Sequence, residues 1–261
     1  MTTVREALLQ AGTSYNLGGL MNFNYCTFPE RNVIRKAKFE SSVYYNANLV
    51  VGDKMFGHNV LKFASNAKRR EREAQFLRDV EESLVTPKLI GELEDGLILS
   101  YVEGKNGRKI MAAGTRTEKE YLIMGAAASM SSIHKYSRAL GDAHIKNCLK
   151  QKLGVKWLDF DLVVDEKDLV TAQATDILKF FYSVVKVLPY EQLEEQVNSF
   201  ARMWPVYYGT GCFNHLYKKK VLGKVEDMLF SETESLIMNH LYPERTKLLN
   251  NAISQEFAKH I

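Results

Sequence analysis

The stretch SNAKRREREAQFLRDVEESL, residues 65–84, puts a carboxylate on the face of a helix that has to leave water. Ser65 or Asn66 can cap the start, and Phe76, Leu77, Val80 and Leu84 recur at helical spacing. Glu73 precedes Phe76, Leu77 and Val80 by three, four and seven positions, so it shares their face, while Glu71 turns outward with Gln75 and Arg78. A carboxylate turned into a core costs on the order of 2–7 kcal/mol unless it is paired. Any fold of this chain therefore has to bring Glu73 a cationic partner. The candidate is Lys62 in NVLKFA, residues 59–64, a strand whose period of two puts Lys62 on the face of Val60.

The elements around this pair follow from periodicity. VYYNANLVV, residues 43–51, alternates as a half-buried strand, and GDKMFGHN turns it into the Lys62 strand. Pro87 closes the helix region, and KLIGELE, the turn Asp95-Gly96 and LILSYV predict a tight hairpin. GKNGRK, residues 104–109, reads as a boundary and hinge. Leu122, Ile123, Ala126, Met130 and Ile133 then predict a long helix over 116–137. NCLK and VKWLDF, parted by Gly154, predict a small hairpin that delivers Asp159 at its end. Apolar stripes through Ile177, Phe180, Phe181, Val184 and Leu188, through Leu193, Val197 and Phe200, and from Glu232 onward predict a helical remainder.

Composition narrows the class. The chain has 261 residues, 46% hydrophobic and 25% charged, which suits one large globular domain or two lobes. No apolar run approaches the roughly 18 residues of a membrane span, and Met1 to Gly18 lacks the pattern of a signal peptide, so the expected location is cytoplasmic. Cys26, Cys148 and Cys212 have no metal spacing and are read as free thiols. The formal charge of +4 is modest, with Lys68, Arg69, Arg70 and Arg72 concentrated in one place. That cluster suits phosphate-bearing ligands. Arg69, Arg70 and Arg72 are read as a solvated face, with nucleic-acid contact the lesser alternative. The sequence sets no oligomeric state.

LGDAHIKNCLK, residues 140–150, spaces Asp142 and Asn147 by five and then turns apolar. Taken in order, VLKFA, REREAQFL, ILSYVEG, SIHK, GDAHIKN and LDFD form a series that resembles the protein-kinase-like superfamily, from about Val33 to Asp161 and more loosely through Asp176. The resemblance implies an α+β, bilobal fold. Residues 1–30 would be an N-terminal extension, 31–103 a small antiparallel sheet lobe with one helix, and 104–261 a larger, mainly helical lobe carrying the catalytic loop and a metal-binding hairpin.

It also implies ATP and magnesium as cofactors and transfer of the γ-phosphate to a hydroxyl. Lys62 would contact the phosphates and Glu73 would hold Lys62. Asp142 would accept or orient the acceptor's proton, and Asn147 and Asp159 would bind the metal. Leu99, Ser100 and Val102, in the segment that looks like a hinge strand, would line the nucleotide. KFESSVYYNA lacks the usual glycine-rich loop and is similar to the phosphate-side segment of RIO atypical kinases, which implies Lys38, Ser41 and Ser42 as phosphate contacts. REREAQFL also resembles compact atypical protein kinases associated with tRNA modification. Gly141-Asp142-x-His144-x-x-Asn147, with Asp161 in place of the usual glycine, looks more like aminoglycoside, choline and lipopolysaccharide-core sugar kinases.

The acceptor is thus a sugar or other hydroxyl-bearing small molecule, or a protein Ser/Thr. The alternatives are a pseudokinase that binds nucleotide or a partner, and an RNA-associated factor using the basic helix. Leu140 departs from the histidine or arginine of most relatives, and no Ala-Pro-Glu motif follows Asp161. His134 is read as a packed helix histidine, and Asp176 either as a bond to the loop backbone or as a helix cap.

Overall fold

Two antiparallel hairpins side by side make the largest sheet of the chain. β1 (Phe23–Phe28) pairs with β2 (Val33–Lys38), β2 with β5 (Gly96–Ser100), and β5 with β4 (Leu89–Leu93), giving the order β1-β2-β5-β4. The structure, a computed structural model, describes residues 23–28, 33–38, 61–62, 64–94, 96–160, 163–164, 166–210, 214–229 and 242–261. The strand expected over 43–51, the turn after it, Ser41, Ser42, Asp161 and the turn residue Asp95 lie outside these. Leu93 pairs directly with Gly96, the tight hairpin that the sequence predicts. The described part of the Lys62 strand, β3 (Leu61–Lys62), pairs with β9 (Val163–Val164).

Ser65 caps α1 (Asn66–Asp79), its hydroxyl accepting the Lys68 N–H at 3.3 Å. α1 packs on β4, β5 and β9, and Phe76, Leu77 and Val80 join Leu97 and Leu99 in the core. Burying three such side chains contributes roughly 1.5–3 kcal/mol each. The segment 104–109 contains a short strand and the start of a helix. β6 (Lys105–Asn106) pairs with β7 (Cys148–Lys150), and α2 (Gly107–Ala113) begins at once. Its glycines serve close packing: a Cβ on Gly104 would come within 2.9 Å of the Lys150 carbonyl, and one on Gly107 within 2.8 Å of the Ile145 carbonyl.

α3 (Arg116–His134) starts at a capping box, with the Thr115 hydroxyl accepting the Glu118 N–H and the Glu118 carboxylate accepting the Thr115 N–H at 3.0 Å. It ends three residues before the expected boundary, where Ser137 adopts φ 55°. β7 and β8 (Val155–Trp157) form the expected hairpin around Gly154, whose φ of 89° suits glycine. α4 (Leu169–Val185), α5 (Leu193–Tyr207), α6 (His215–Leu229) and α7 (Pro243–Phe257) complete the chain, with α7 packed on α4, α5 and α6. Trp157, Phe180, Phe181, Trp204, Tyr208 and Phe257 form the aromatic centre of this helical layer.

The described fold is thus mostly helical, with small antiparallel sheets. No described helix is long and apolar enough to cross a membrane. Cys148 is a buried free thiol whose pKa burial pushes well above the usual value.

Candidate functional site

The segment 134–147, the end of α3 and the loop after it, lies on α4, and four polar side chains of that helix hold it by its backbone. Gln173 donates to the carbonyls of His134 and Arg138 at 3.1 and 3.0 Å. Asp176 accepts the N–H groups of Leu140 and Gly141 at 2.6 and 2.9 Å. Lys179 donates to the Gly141 carbonyl at 3.0 Å, and Ser183 accepts the Ile145 N–H at 2.8 Å. These residues recur every three or four positions, so one stripe of α4 faces the loop from end to end. Of the two readings left open for Asp176, bonding to the loop backbone is the one observed.

Below that contact lies a buried chain of side chains. Tyr208 Oη bonds His134 Nδ1, and His134 Nε2 meets Asp176 Oδ2 at 3.1 Å. Burial, aided by the Asp176 charge, raises Tyr208 well above the usual phenol value, so the hydroxyl keeps its proton and donates it to Nδ1. His134 then carries its proton on Nε2 and donates to Asp176. His134 is packed and fully used, as expected.

Gly141, at φ 83°, makes the bend that presents Asp142. The Asp142 carbonyl accepts the His144 N–H at 2.7 Å, and the His144 carbonyl accepts the Asn147 N–H at 2.8 Å. These short turns bring the Asn147 amide back onto Asp142, where Nδ2 donates to both the carbonyl and Oδ2 at 3.0 Å. The five-residue spacing is the length of that return. Committing Nδ2 to Asp142 directs Asn147 Oδ1 to the other side. Lys146 Nζ stands 3.6 Å from Asp142 Oδ2.

His144 is half-buried, and its Nδ1 accepts the Lys146 N–H at 3.1 Å. Its pKa falls to about 4, first through burial and then through the charges of Lys146, Lys186 and Arg108, against an opposing pull from Asp142. The imidazole is neutral at pH 7, with its proton on Nε2.

The β7–β8 hairpin carries Asp159 to this loop. Cys148 pairs with Trp157, and the next step of the ladder is the Leu158 N–H donating to the Asn147 carbonyl at 2.8 Å. Asp159 follows at φ 67°, a left-handed conformation that a non-glycine residue adopts at a cost. Phe160 is then pinned from three sides by α1. Its ring stacks on Phe76 with centroids 4.5 Å apart, its N–H donates to Glu73 Oε1 at 3.3 Å, and its carbonyl accepts from Arg72 Nη1 at 2.9 Å. Arg72 Nη2 reaches the Ala139 carbonyl at 2.7 Å, so one guanidinium ties α1 to both segments of the site.

Glu73 is fully buried, as its helix phase requires, and among its partners is the Phe160 backbone. Lys62, exposed, lies on β3 opposite Val163, so Lys62 and Glu73 both meet the segment that begins at Asp159. Asp142 and Asn147 are in direct contact, and Asp159 sits next to the residue bonded to Asn147. Of the expected nucleotide-side residues, Lys38 ends β2, opposite Phe23. Leu99 and Val102 are buried, and the Ser100 hydroxyl accepts the Lys88 N–H at 2.8 Å.

The reading of Arg69, Arg70 and Arg72 as a solvated face is corrected. Arg69 is 1% exposed, Arg70 is half-buried and Arg72 is bound into the site. Arg69 precedes Glu73 by one helical turn and Arg72 precedes Phe76 by one, so the phase that buries Glu73 and Phe76 also turns these arginines inward. Lys68 remains exposed, so the basic strip is narrower than its four charges suggest.

No protein-family model and no curated protein matches this chain. Among solved structures, a choline kinase from Cryptosporidium parvum Iowa II is similar to it at 10% identity, over 94% of this chain and 87% of that one, with a TM-score of 0.47.

Proposed function

We propose that this chain is a phosphotransferase of protein-kinase-like type, using ATP and magnesium to phosphorylate a hydroxyl group. The observation that carries the reading is the Asn147 amide, whose nitrogen is spent on Asp142 while the Asn147 backbone carbonyl bonds Leu158, the neighbour of Asp159. Transfer to a hydroxyl needs that pairing of a carboxylate at the attacking oxygen with hard oxygen donors next to it.

In this reading Asp142 takes the proton of the acceptor hydroxyl as its oxygen bonds the γ-phosphorus and the bond to the ADP oxygen breaks. Asn147 holds Asp142 in position for that transfer. Lys62 contacts the phosphates and Glu73 holds Lys62, with Lys38, Ser41 and Ser42 on the phosphate side and Leu99, Ser100 and Val102 beside the base. Asp159 and Asn147 would hold magnesium, and two protein ligands suit an ion that keeps waters and phosphate oxygens as its other ligands. Bound there, magnesium would neutralise charge on the phosphates. Among the described residues no group of three or more His, Cys, Asp or Glu could hold a metal.

The test is ADP release with magnesium, with and without chelator, for the native chain, Asp142→Ala and Asp159→Ala. Each substitution is expected to lower the rate by about 10²-fold or more. Equal rates in all three would overturn the reading in favour of a binding module without turnover.

A further inference from the structure

Three cations stand on the loop that carries Asp142 and His144 or on the ends of the two helices attached to it, and none comes from α1, β3 or β9. Lys146 belongs to the loop itself, its side chain 41% exposed and 3.6 Å from Asp142. Arg108 reaches the loop through α2. Asn106 Nδ2 donates to the Lys146 carbonyl at 2.9 Å while Asn106 Oδ1 accepts the Arg108 N–H at 3.0 Å, and Gly107 is in backbone contact with Ile145. Lys186 comes from the other side, one turn beyond Ser183, which holds the Ile145 N–H. It is exposed and its ammonium lies 5.9 Å over the Tyr242 ring. The charges of all three reach the His144 ring, and Asp142 is the carboxylate that opposes them.

A cluster with three positive charges and one negative attracts an anion and repels a cation. His144 adds a neutral donor at Nε2. We infer that the acceptor is a hydroxyl-bearing small molecule with an anionic group of its own, a phosphate or a carboxylate, held by Arg108, Lys146 and Lys186 with its hydroxyl at Asp142. The inference rests on the phosphotransferase reading for the hydroxyl and on the cation cluster for the anion. An acceptor with a quaternary ammonium or several amines would meet three like charges.

The test has two arms. In the first, titration calorimetry without nucleotide measures binding of glucose 6-phosphate, glucuronate, glucose and choline to the native chain, to Arg108→Gln/Lys186→Gln and to Arg108→Lys/Lys186→Arg. The anions should bind, glucose and choline should not, and the glutamine pair should weaken binding by about tenfold or more while the charge-keeping pair restores it. A preference between phosphate and carboxylate identifies the group. In the second, the same compounds serve as acceptors with ATP and magnesium. The glutamine pair should raise KM for the anionic acceptor about tenfold and KM for ATP less than twofold.

Preference for glucose or choline, equal binding by all variants, or a rise confined to KM for ATP would overturn the inference, the last by assigning the cations to the nucleotide. Anion binding that depends on the cations, with no turnover of any acceptor, would sink the phosphotransferase reading and leave an anion site.

Discussion

Asp176 accepts the Leu140 backbone N–H at 2.6 Å, from the middle of a helix whose neighbouring residues Ile177, Leu178, Phe180 and Phe181 are buried in the core. The same carboxylate takes the Gly141 N–H and the His134 ring, so it alone satisfies three buried donors. Asp176→Ala is expected to destabilise the fold by about 3–5 kcal/mol, as a buried charge-assisted network does when its centre is removed. Asp176→Asn keeps one acceptor oxygen and should lose less. Urea denaturation measures both, and a loss below about 1 kcal/mol for alanine would mean that the loop does not depend on α4.

Arg72 makes the second connection, from α1 to the Ala139 and Phe160 carbonyls, with its guanidinium 4.6 Å over the Phe76 ring. Lysine can carry the charge there but cannot reach two carbonyls from one plane. Arg72→Lys should therefore cost about 1.5–3 kcal/mol. It should also raise hydrogen exchange at the Phe160 N–H, which Glu73 accepts while Arg72 holds the carbonyl of the same residue. Unchanged exchange at that amide would show that stacking on Phe76 alone fixes the segment.

These two attachments mark where sequence reasoning stopped. Helix phase was enough to bury Glu73, and the same phase taken one turn back would have buried Arg69, yet a run of four basic residues invited a reading by charge instead. The hairpin at Gly154 and the helix beginning at Arg116 were legible because apolar period and cap agree. The support of the loop was legible only at Asp176, and there as one of two readings. Gln173, Asp176, Lys179 and Ser183 bond to backbone groups, which carry no residue-type signal, and they are interleaved with the strong stripe of Ile177, Phe180 and Val184. The one available clue was four polar residues at helical spacing on an apolar helix. Gly104 and Gly107, which look like punctuation in the sequence, also allow close approach to β7 and the loop.

Asp159 holds a left-handed backbone, and the strain separates its backbone role from the metal-binding role proposed for it. Glycine removes the strain, whereas a β-branched side chain in that region costs roughly 1–2 kcal/mol more. Asp159→Gly is expected to stay within about 1 kcal/mol of the native chain, with Asp159→Val less stable than glycine by more than that. Both should abolish magnesium-dependent turnover, since neither offers an oxygen ligand. Thermal unfolding ranks the stabilities and ADP release reads the activity. A valine variant as stable as glycine would mean that the segment relaxes out of this conformation.

His144 gives the pH prediction. Its folded pKa of about 4 lies below the ordinary 6.5, with burial the larger cause and Lys146, Lys186 and Arg108 the smaller. Between those values the unfolded chain takes up a proton that the folded chain refuses. His144 therefore makes the fold less stable as pH drops from 6.5 towards 4, and its contribution levels off below 4, where both states are protonated. An NMR titration of the His144 Cε1–H should accordingly show a midpoint near 4. Lys186→Gln should move that midpoint upward by only a small part of the gap, because burial remains. A native midpoint near 6.5 would mean that the ring is solvated, and a glutamine variant that restored the ordinary value would reverse the ranking of the two causes.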